Sequence, residues 1–307
     1  MTTILEFFSD LMEAYEARDY ARGLRIAREA HAHLPGQHAK TFFWMSCMYS
    51  LLDRHADAVE ALKEGLAEGI WWGLKTLDTE HDLDPVRGNL GFQEVRAECE
   101  IRYRRAQENA RPECLTLEPG SGRYPVGLLL VIHWRGDSAL EFASHWSFLA
   151  DERGWTLLVP QSSQPLDAGT FCWDDTERGR REIRAHLDAY RRGRTGGPDL
   201  LVVAGASQGA RLAFEVAQEE GAPYVSVIPS FPKDYRPSPG EARGGFTRGA
   251  FLLGSLDAAN ERTHPVVRDL KARGAEVSVH VMEGIGHDFP PDFPDRIERI
   301  LAALRSR

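Results

Sequence analysis

Leu200-Leu201-Val202-Val203-Ala204-Gly205-Ala206-Ser207-Gln208-Gly209 is an apolar run closed by a G-x-S-x-G pentapeptide. The run reads as a buried strand, and the amphipathic pattern after Gly209 reads as a helix. Ser207 therefore stands where strand turns into helix. That turn is tight and strained and lifts the hydroxyl above the sheet edge. The glycines at its two ends remove Cβ atoms that would strike the neighbouring strand and helix. Ser207 is the candidate nucleophile.

A hydroxyl is a poor nucleophile unless a histidine takes its proton and an acid orients that histidine. The chain supplies both in the order Ser, Asp, His. Asp257 follows the apolar run Gly249-Ala250-Phe251-Leu252-Leu253, and His287 lies in Gly286-His287-Asp288-Phe289-Pro290, beyond the strand-like Glu276 to Met282. All three fall just past the carboxyl ends of expected parallel strands, where ligands gather in open α/β sheets. Asp257 also reads as a turn or helix-capping residue, and Glu283 is the alternative acid. His280 lies inside a strand, and His264, before Pro265, reads as a helix-start residue. Acyl transfer also needs donors for the oxygen that becomes negative. The backbone N–H of Gln208 is one. Arg135, in the loop His133-Trp134-Arg135-Gly136-Asp137 after the apolar run from Val126 to Ile132, is the expected second.

Seven apolar runs read as strands, at about 115 to 118, 126 to 133, 155 to 160, 199 to 204, 224 to 228, 249 to 254 and 276 to 282. Helical patterns separate most of them, so the expected fold is α/β, a doubly wound, mainly parallel sheet. Two irregular stretches, Gln161 to Asp175 and Pro229 to Arg248, are expected to frame a pocket. Trp134, Phe171, Trp173, Phe231 and Phe289 are its candidate aromatic contacts.

These residues resemble the α/β-hydrolase superfamily, and more narrowly bacterial esterases allied to phospholipase/carboxylesterase and dienelactone hydrolase-like proteins. The matches are the loop from His133 to Gly136, the elbow from Gly205 to Gly209, the Asp257 position and Gly286-His287-Asp288-Phe289-Pro290, within roughly residues 114 to 307. The resemblance implies a serine carboxylester hydrolase of small soluble esters acting through an acyl-enzyme. Ser207 is then the nucleophile, His287 the general base and acid, Asp257 the orienting acid, and Gln208 with Arg135 the oxyanion-hole donors. One departure is visible, since the family usually has His-Gly where this chain has His133-Trp134. An oligopeptidase-type serine peptidase and an acyltransferase use the same triad and remain alternatives. So does a non-enzymatic, repeat-based interaction protein, against which the intact triad stands.

Residues 1–110 show helical periodicity and no strand-like runs, so two domains are expected, 1–110 helical and 111–307 catalytic. The segment Asp19 to Ala30 echoes Arg54 to Gly65 at an offset of 35 residues, close to the tetratricopeptide period. Gly23 and Ala58 occupy its small-residue position, and Leu24, Ala27, Val59 and Leu62 share a packed face. This part resembles degenerate tetratricopeptide repeats, followed by an irregular connection and a closing helix from about Phe92 to Glu108. So few repeats with Phe7, Phe8, Phe42, Phe43, Trp44, Trp71 and Trp72 are expected to dock on something. The alternatives are the catalytic part, where the helices would limit access to Ser207, a homodimer, or a protein partner.

The formal charge of the 307-residue chain is −9. Residues 1–110 hold 13 Lys and Arg against 19 Asp and Glu, hence −6, which leaves −3 for the remainder. That balance argues against nucleic acid as a partner. The Arg-rich stretch from Arg178 to Arg194 is interrupted by acids and reads as a solvated helix face. No apolar run reaches membrane-spanning length and no signal-peptide pattern opens the chain, so a cytoplasmic protein without membrane association is expected. Cys47, Cys99, Cys114 and Cys172 form no C-x-x-C pair and are expected as reduced thiols. No dinucleotide or phosphate-loop fingerprint is present; no cofactor and no metal are expected, and the partner is a small-molecule ester.

Overall fold

The computed structural model describes residues 4–120, 124–193, 200–233, 235 and 248–305. The chain forms two compact units: Met1–Asn109 with Pro165–Ala168, and Ala110–Gln164 with Gly169–Arg307.

The first unit is all-α among its described amino-terminal residues: α1 (Ile4–Glu16), α2 (Tyr20–His33), α3 (His38–Leu51), α4 (His55–Ala67), α5 (Leu74–Thr79) and α6 (Leu90–Asn109), with a 3₁₀ helix at His81–Val86. Asp19 caps α2, its carboxylate accepting from Arg22 N at 2.9 Å, and thereby satisfies one of the donors a helix start leaves open. The sequence echo is also an echo of backbone. Arg18 and Asp53, 35 residues apart, both take φ +56°. The bonds Asp19 N to Ala14 O and Arg54 N to Tyr49 O recur at the same offset, each at 2.9 Å. Gly23 and Ala58 are buried as that alignment requires. Most of the aromatic load goes inward: Phe7, Phe42, Trp71 and Trp72 are buried, Phe43 and Trp44 pack against the same core, and only Phe8 stays exposed. The expected surplus of uncovered aromatic surface is therefore small. The segment Pro165–Ala168, far along the sequence, completes this unit. Ala168 N donates to Trp71 O at 3.0 Å and Gly73 N to Asp167 Oδ1 at 2.6 Å. A Cβ on Gly73 would lie 2.6 Å from Leu166 O, so only glycine fits there.

The second unit is built on a seven-stranded sheet. Its strands are β1 (Glu113–Leu117), β2 (Leu128–Ile132), β3 (Thr156–Gln161), β6 (Leu201–Ala206), β7 (Tyr224–Val227), β8 (Arg248–Gly254) and β9 (Glu276–Met282). Two short strands outside this sheet, β4 (Pro165–Asp167) and β5 (Thr170–Phe171), stand where an irregular stretch was expected. The spatial order is β1-β3-β2-β6-β7-β8-β9, with β1 antiparallel to β3 and the other pairs parallel. This is an α/β-hydrolase sheet preceded by an all-α region. The helices of this unit are α7 (Ala139–Ala143), α8 (Phe148–Asp151), α9 (Thr176–Arg192), α10 (Ser207–Glu220), α11 (Asn260–Ala272) and α12 (Phe293–Arg305), and every residue of β2 is buried because helices cover both faces of a parallel sheet. Leu129 and Val131 face one core with Trp146, Leu157 and Ile297. Leu128, Leu130 and Ile132 face the other with Trp173, Val203 and Phe214. Truncating any of these leucines to alanine costs about 2–5 kcal/mol. Strand β7 stops at Val227 because Ile228 turns to φ +43°. Most of the Pro229 to Arg248 stretch expected to frame the pocket, 234 and 236–247, lies outside the described residues. No helix among the described residues is long and apolar enough to cross a membrane.

Candidate active site

The elbow follows from the residues around it. Strand β6 ends at Ala206, and Ser207 opens α10 (Ser207–Glu220) with φ +49°, left-handed for a non-glycine residue. Such a conformation costs about 1–3 kcal/mol and persists only where its surroundings enforce it. They do so here by contact. A Cβ on Gly205 would lie 2.6 Å from Gly209 O, and one on Gly209 would overlap the carbonyl oxygens of Ile132 and His133. Ser207 O also accepts from Ser230 N at 3.1 Å.

The three residues expected to act with one another converge. Ser207 Oγ stands 2.7 Å from His287 Nε2, and His287 Nδ1 stands 2.7 Å from Asp257 Oδ2. The Asp257 side chain is 6% exposed and the His287 side chain 43%, so the acid is buried while the histidine reaches the surface. Of its two structural readings Asp257 fulfils the turn, its other oxygen accepting from Ala259 N at 2.9 Å, and not the helix cap, a position that Ala259 takes without a side-chain bond. Glu283, the alternative acid, is exposed. Helix α11 (Asn260–Ala272) starts upstream of His264, which is thus inside the helix and not at its start.

Sequence reading missed the residue that brings the β8 and β9 loops together. Gly254 lies so close to the Ile285 and Gly286 carbonyls that any Cβ would overlap them, while Leu256 N donates to Ile285 O at 2.9 Å. This closeness sets His287 above Asp257. A glycine ending a strand is the only signal, and it is a weak one.

Gln208 is the second residue of α10, where backbone N–H groups have no partner inside the helix and the helix dipole favours negative charge. Its side chain is held at both ends: Oε1 accepts from Trp173 N and Nε2 donates to Asp174 Oδ1, each at 2.8 Å. The same carboxylate accepts from Arg135 Nε at 3.3 Å and Nη2 at 3.2 Å. Asp174, not singled out in the sequence, thus ties the Arg135 loop to the elbow. Burial alone would raise the Asp174 carboxyl, but the bonds from Arg135 and Gln208 outweigh it and hold it below the ordinary carboxylate value.

His133 anchors the same loop from inside. Fully buried, it donates Nδ1–H to Trp134 O at 2.7 Å and accepts from Ser162 N at Nε2, 3.4 Å away. Burial depresses it to about 4, against a small opposing effect of the Trp134 bond. Gly136 N donates to Phe171 O at 2.8 Å, and Phe171 N to Asp137 O at 2.9 Å. The departure from His-Gly is accommodated by an aromatic nest. The Trp134 ring meets Phe289 at 5.3 Å and His145 at 5.9 Å, and His145 stacks on Phe289 at 4.3 Å with planes 7° apart. Burial lowers the His145 imidazole and raises the Asp288 carboxyl beside it.

Of the five aromatics expected in a pocket, Trp134, Phe171 and Phe289 are half-buried. Trp173 and Phe231 are corrections: both are fully buried. Trp173 packs on His133 at 4.8 Å and donates Nε1–H to His133 O at 2.9 Å. Phe231 packs edge-on to Phe214 at 5.8 Å. Both residues face inward because the core on that side of the sheet needs their volume, which a loop assignment cannot reveal. A cavity of about 480 Å³ lined by Arg248, Glu276, Ser278, His280 and Arg299 lies toward the amino ends of β8 and β9, at the other end of the sheet from Ser207.

The family described as "A/B hydrolase-like, N-terminal domain" matches residues 3–107. No curated protein matches the chain. Among solved structures, an uncharacterized protein from Bacillus cereus ATCC 10987 is similar over 99% of this chain and 99% of its own, at 20% identity and a TM-score of 0.51. Esterase PE8 is similar over 63% of this chain and 99% of its own, at 16% identity and a TM-score of 0.54. At these identities the likeness is one of fold.

Proposed function

We propose that the chain is a serine hydrolase of small carboxylic esters working through an acyl-enzyme. The observation that carries this is the unbroken line from Ser207 Oγ through His287 to Asp257, with 2.7 Å at both links and the serine on a strained elbow. His287 Nε2 takes the hydroxyl proton as Oγ attacks the ester carbonyl carbon, and Asp257 stabilises the imidazolium that forms. The carbonyl oxygen becomes an oxyanion at the amino end of α10, where Gln208 N and Arg135 N are the assigned donors. Collapse expels the alcohol, which takes the proton from His287. Water then attacks the acyl carbon, giving its proton to His287, and the acid leaves as Ser207 is regenerated. The half-buried Trp134, Phe171 and Phe289 favour apolar acyl or aryl groups in the substrate. The fold likeness to esterase PE8 is in keeping with this reading and does not carry it. For the helical unit we infer a degenerate pair of tetratricopeptide-type repeats, supported by the 35-residue recurrence of sequence, turn dihedrals and turn hydrogen bonds.

The test is hydrolysis of p-nitrophenyl esters of rising acyl length, with a peptide amide as comparison. Ser207→Ala should lower kcat by about six orders of magnitude, and a fluorophosphonate should label Ser207 alone. A variant retaining more than a few per cent of activity, or labelling at another residue, overturns the assignment.

A further inference from the structure

Three successive helices of the helical unit bring a histidine pair and a glutamate to one point. His31 lies in the last turn of α2, His38 opens α3, and Glu68 directly follows α4. One ligating atom from each lies within 4.8 Å of the others. The rings of His31 and His38 stack, with centroids 3.9 Å apart and planes 22° apart. Their hydrogen bonds decide which nitrogens are free. The buried Thr41 hydroxyl, 3.3 Å from His38 O, lies 2.9 Å from His31 Nδ1 and occupies that nitrogen. His31 Nε2 is then the nitrogen left for a ligand, with Thr41 as the outer partner that orients the ring, as in ligating histidines. His38 Nδ1 shares a proton with Glu68 Oε2 across 2.7 Å.

We propose that His31 Nε2, His38 Nδ1 and a Glu68 carboxylate oxygen bind a divalent transition-metal ion of the zinc type, with water completing the coordination. Two imidazoles and a carboxylate form a known zinc donor set. The ion takes the place of the proton between His38 and Glu68. That proton moves to His38 Nε2 as the ring changes tautomer, which leaves the Nδ1 lone pair and the Glu68 oxygen to the ion. For both rings to point at one ion, His38 must turn off the face of His31, and at 23% side-chain exposure it has an open side. Charge around the site favours a cation. His31 lines a cavity of about 270 Å³ with Glu60, Glu64 and Asp57, the last paired to Arg54 at 2.8 Å; the cation among its lining residues is Arg28, held by the Tyr49 hydroxyl and lying 5.4 Å from the centre of that ring.

An ion held by three helices must stabilise them by an amount that grows with the logarithm of its affinity. The test is zinc titration of the chelator-stripped full-length protein against a chromophoric competitor, with thermal unfolding in zinc and in EDTA. The expected result is one equivalent bound and a Tm raised by zinc. His31→Gln and Glu68→Gln should each weaken binding at least about 10-fold and remove the Tm rise. Thr41→Val, which leaves all three ligands, should weaken it about 10-fold. If His31→Gln does not fold, Glu68→Gln, at an exposed position, carries the test. Absence of stoichiometric binding by the parent protein, or undiminished affinity in the Glu68→Gln variant, overturns the proposal.

Discussion

Acidification should destabilise the hydrolase-fold unit through His133, and the size of the effect follows from its burial. An ordinary histidine protonates near 6.5, whereas His133 is held to about 4 by loss of solvent. Between those values the unfolded chain binds a proton that the folded chain refuses. Stability is therefore full above about pH 6.5 and falls steadily as the pH drops toward 4. The gap of about 2.5 pH units, at 1.36 kcal/mol each, corresponds to about 3 kcal/mol, a large part of a typical 5–15 kcal/mol. Carboxyls raised by burial, Asp288 and Glu215 among them, act in the opposite sense. They are common to parent and variant, so they cancel in a comparison with His133→Asn, whose amide can keep the donor to Trp134 O. The assay is hydrogen exchange of peptides spanning β2 and β3 in a urea series at pH 7 and pH 4.5. This reports on the sheet alone, whereas a two-unit chain need not unfold in one transition. If His133→Asn loses as much stability on acidification as the parent, or if the His133 ring titrates above pH 5.5 by NMR, the reasoning is wrong.

Three other outcomes are expected. Asp257→Asn should retain the fold and lower kcat about 10⁴-fold, because the ring loses the partner that fixes its tautomer; kinetics within 10-fold of the parent would exclude that role. Asp174→Ala removes the carboxylate that joins the Arg135 and Gln208 side chains, and should reduce kcat about 10- to 100-fold with little change in KM, measured on a p-nitrophenyl ester; an unchanged kcat would show that the tether does not position the donors. A fragment starting near Cys114 should aggregate or lose thermal stability, since Asp167 and Ala168 then lack Gly73 and Trp71; light scattering and Tm equal to those of the full chain would refute this.

What could be read in the sequence was what is local. The elbow announces itself because a strand, two glycines and a serine are adjacent, and the strands because a parallel sheet buried on both faces needs continuous apolar runs such as Leu128 to Ile132. Asp257 and His287 were legible because strand order carries the order of the site's residues. Asp174 and Gly254 were not, since one acts by bonding Arg135 and Gln208, both more than 30 positions away, and the other by leaving room for a backbone 31 residues on. Trp173 and Phe231 misled for the same reason: a loop residue's side chain turns toward core or solvent according to partners the loop itself does not name. His31, His38 and Glu68 carry no motif spacing, and only the stacking of three helices brings them to one place.

The re-entry of Pro165–Ala168 into the helical unit has a temporal side. A ribosome that has finished Asn109 has not yet made the last piece of that unit, and the 55 residues from Ala110 to Gln164 contain β1, β2 and β3. At about 5–20 residues per second, roughly 3–11 s of synthesis separate the two. During that interval the backbone N–H of Gly73 and the carbonyl of Trp71 must wait in water. The helices therefore close only once more than a quarter of the second unit's chain has been made, and the two units mature as interleaved events in one nascent chain.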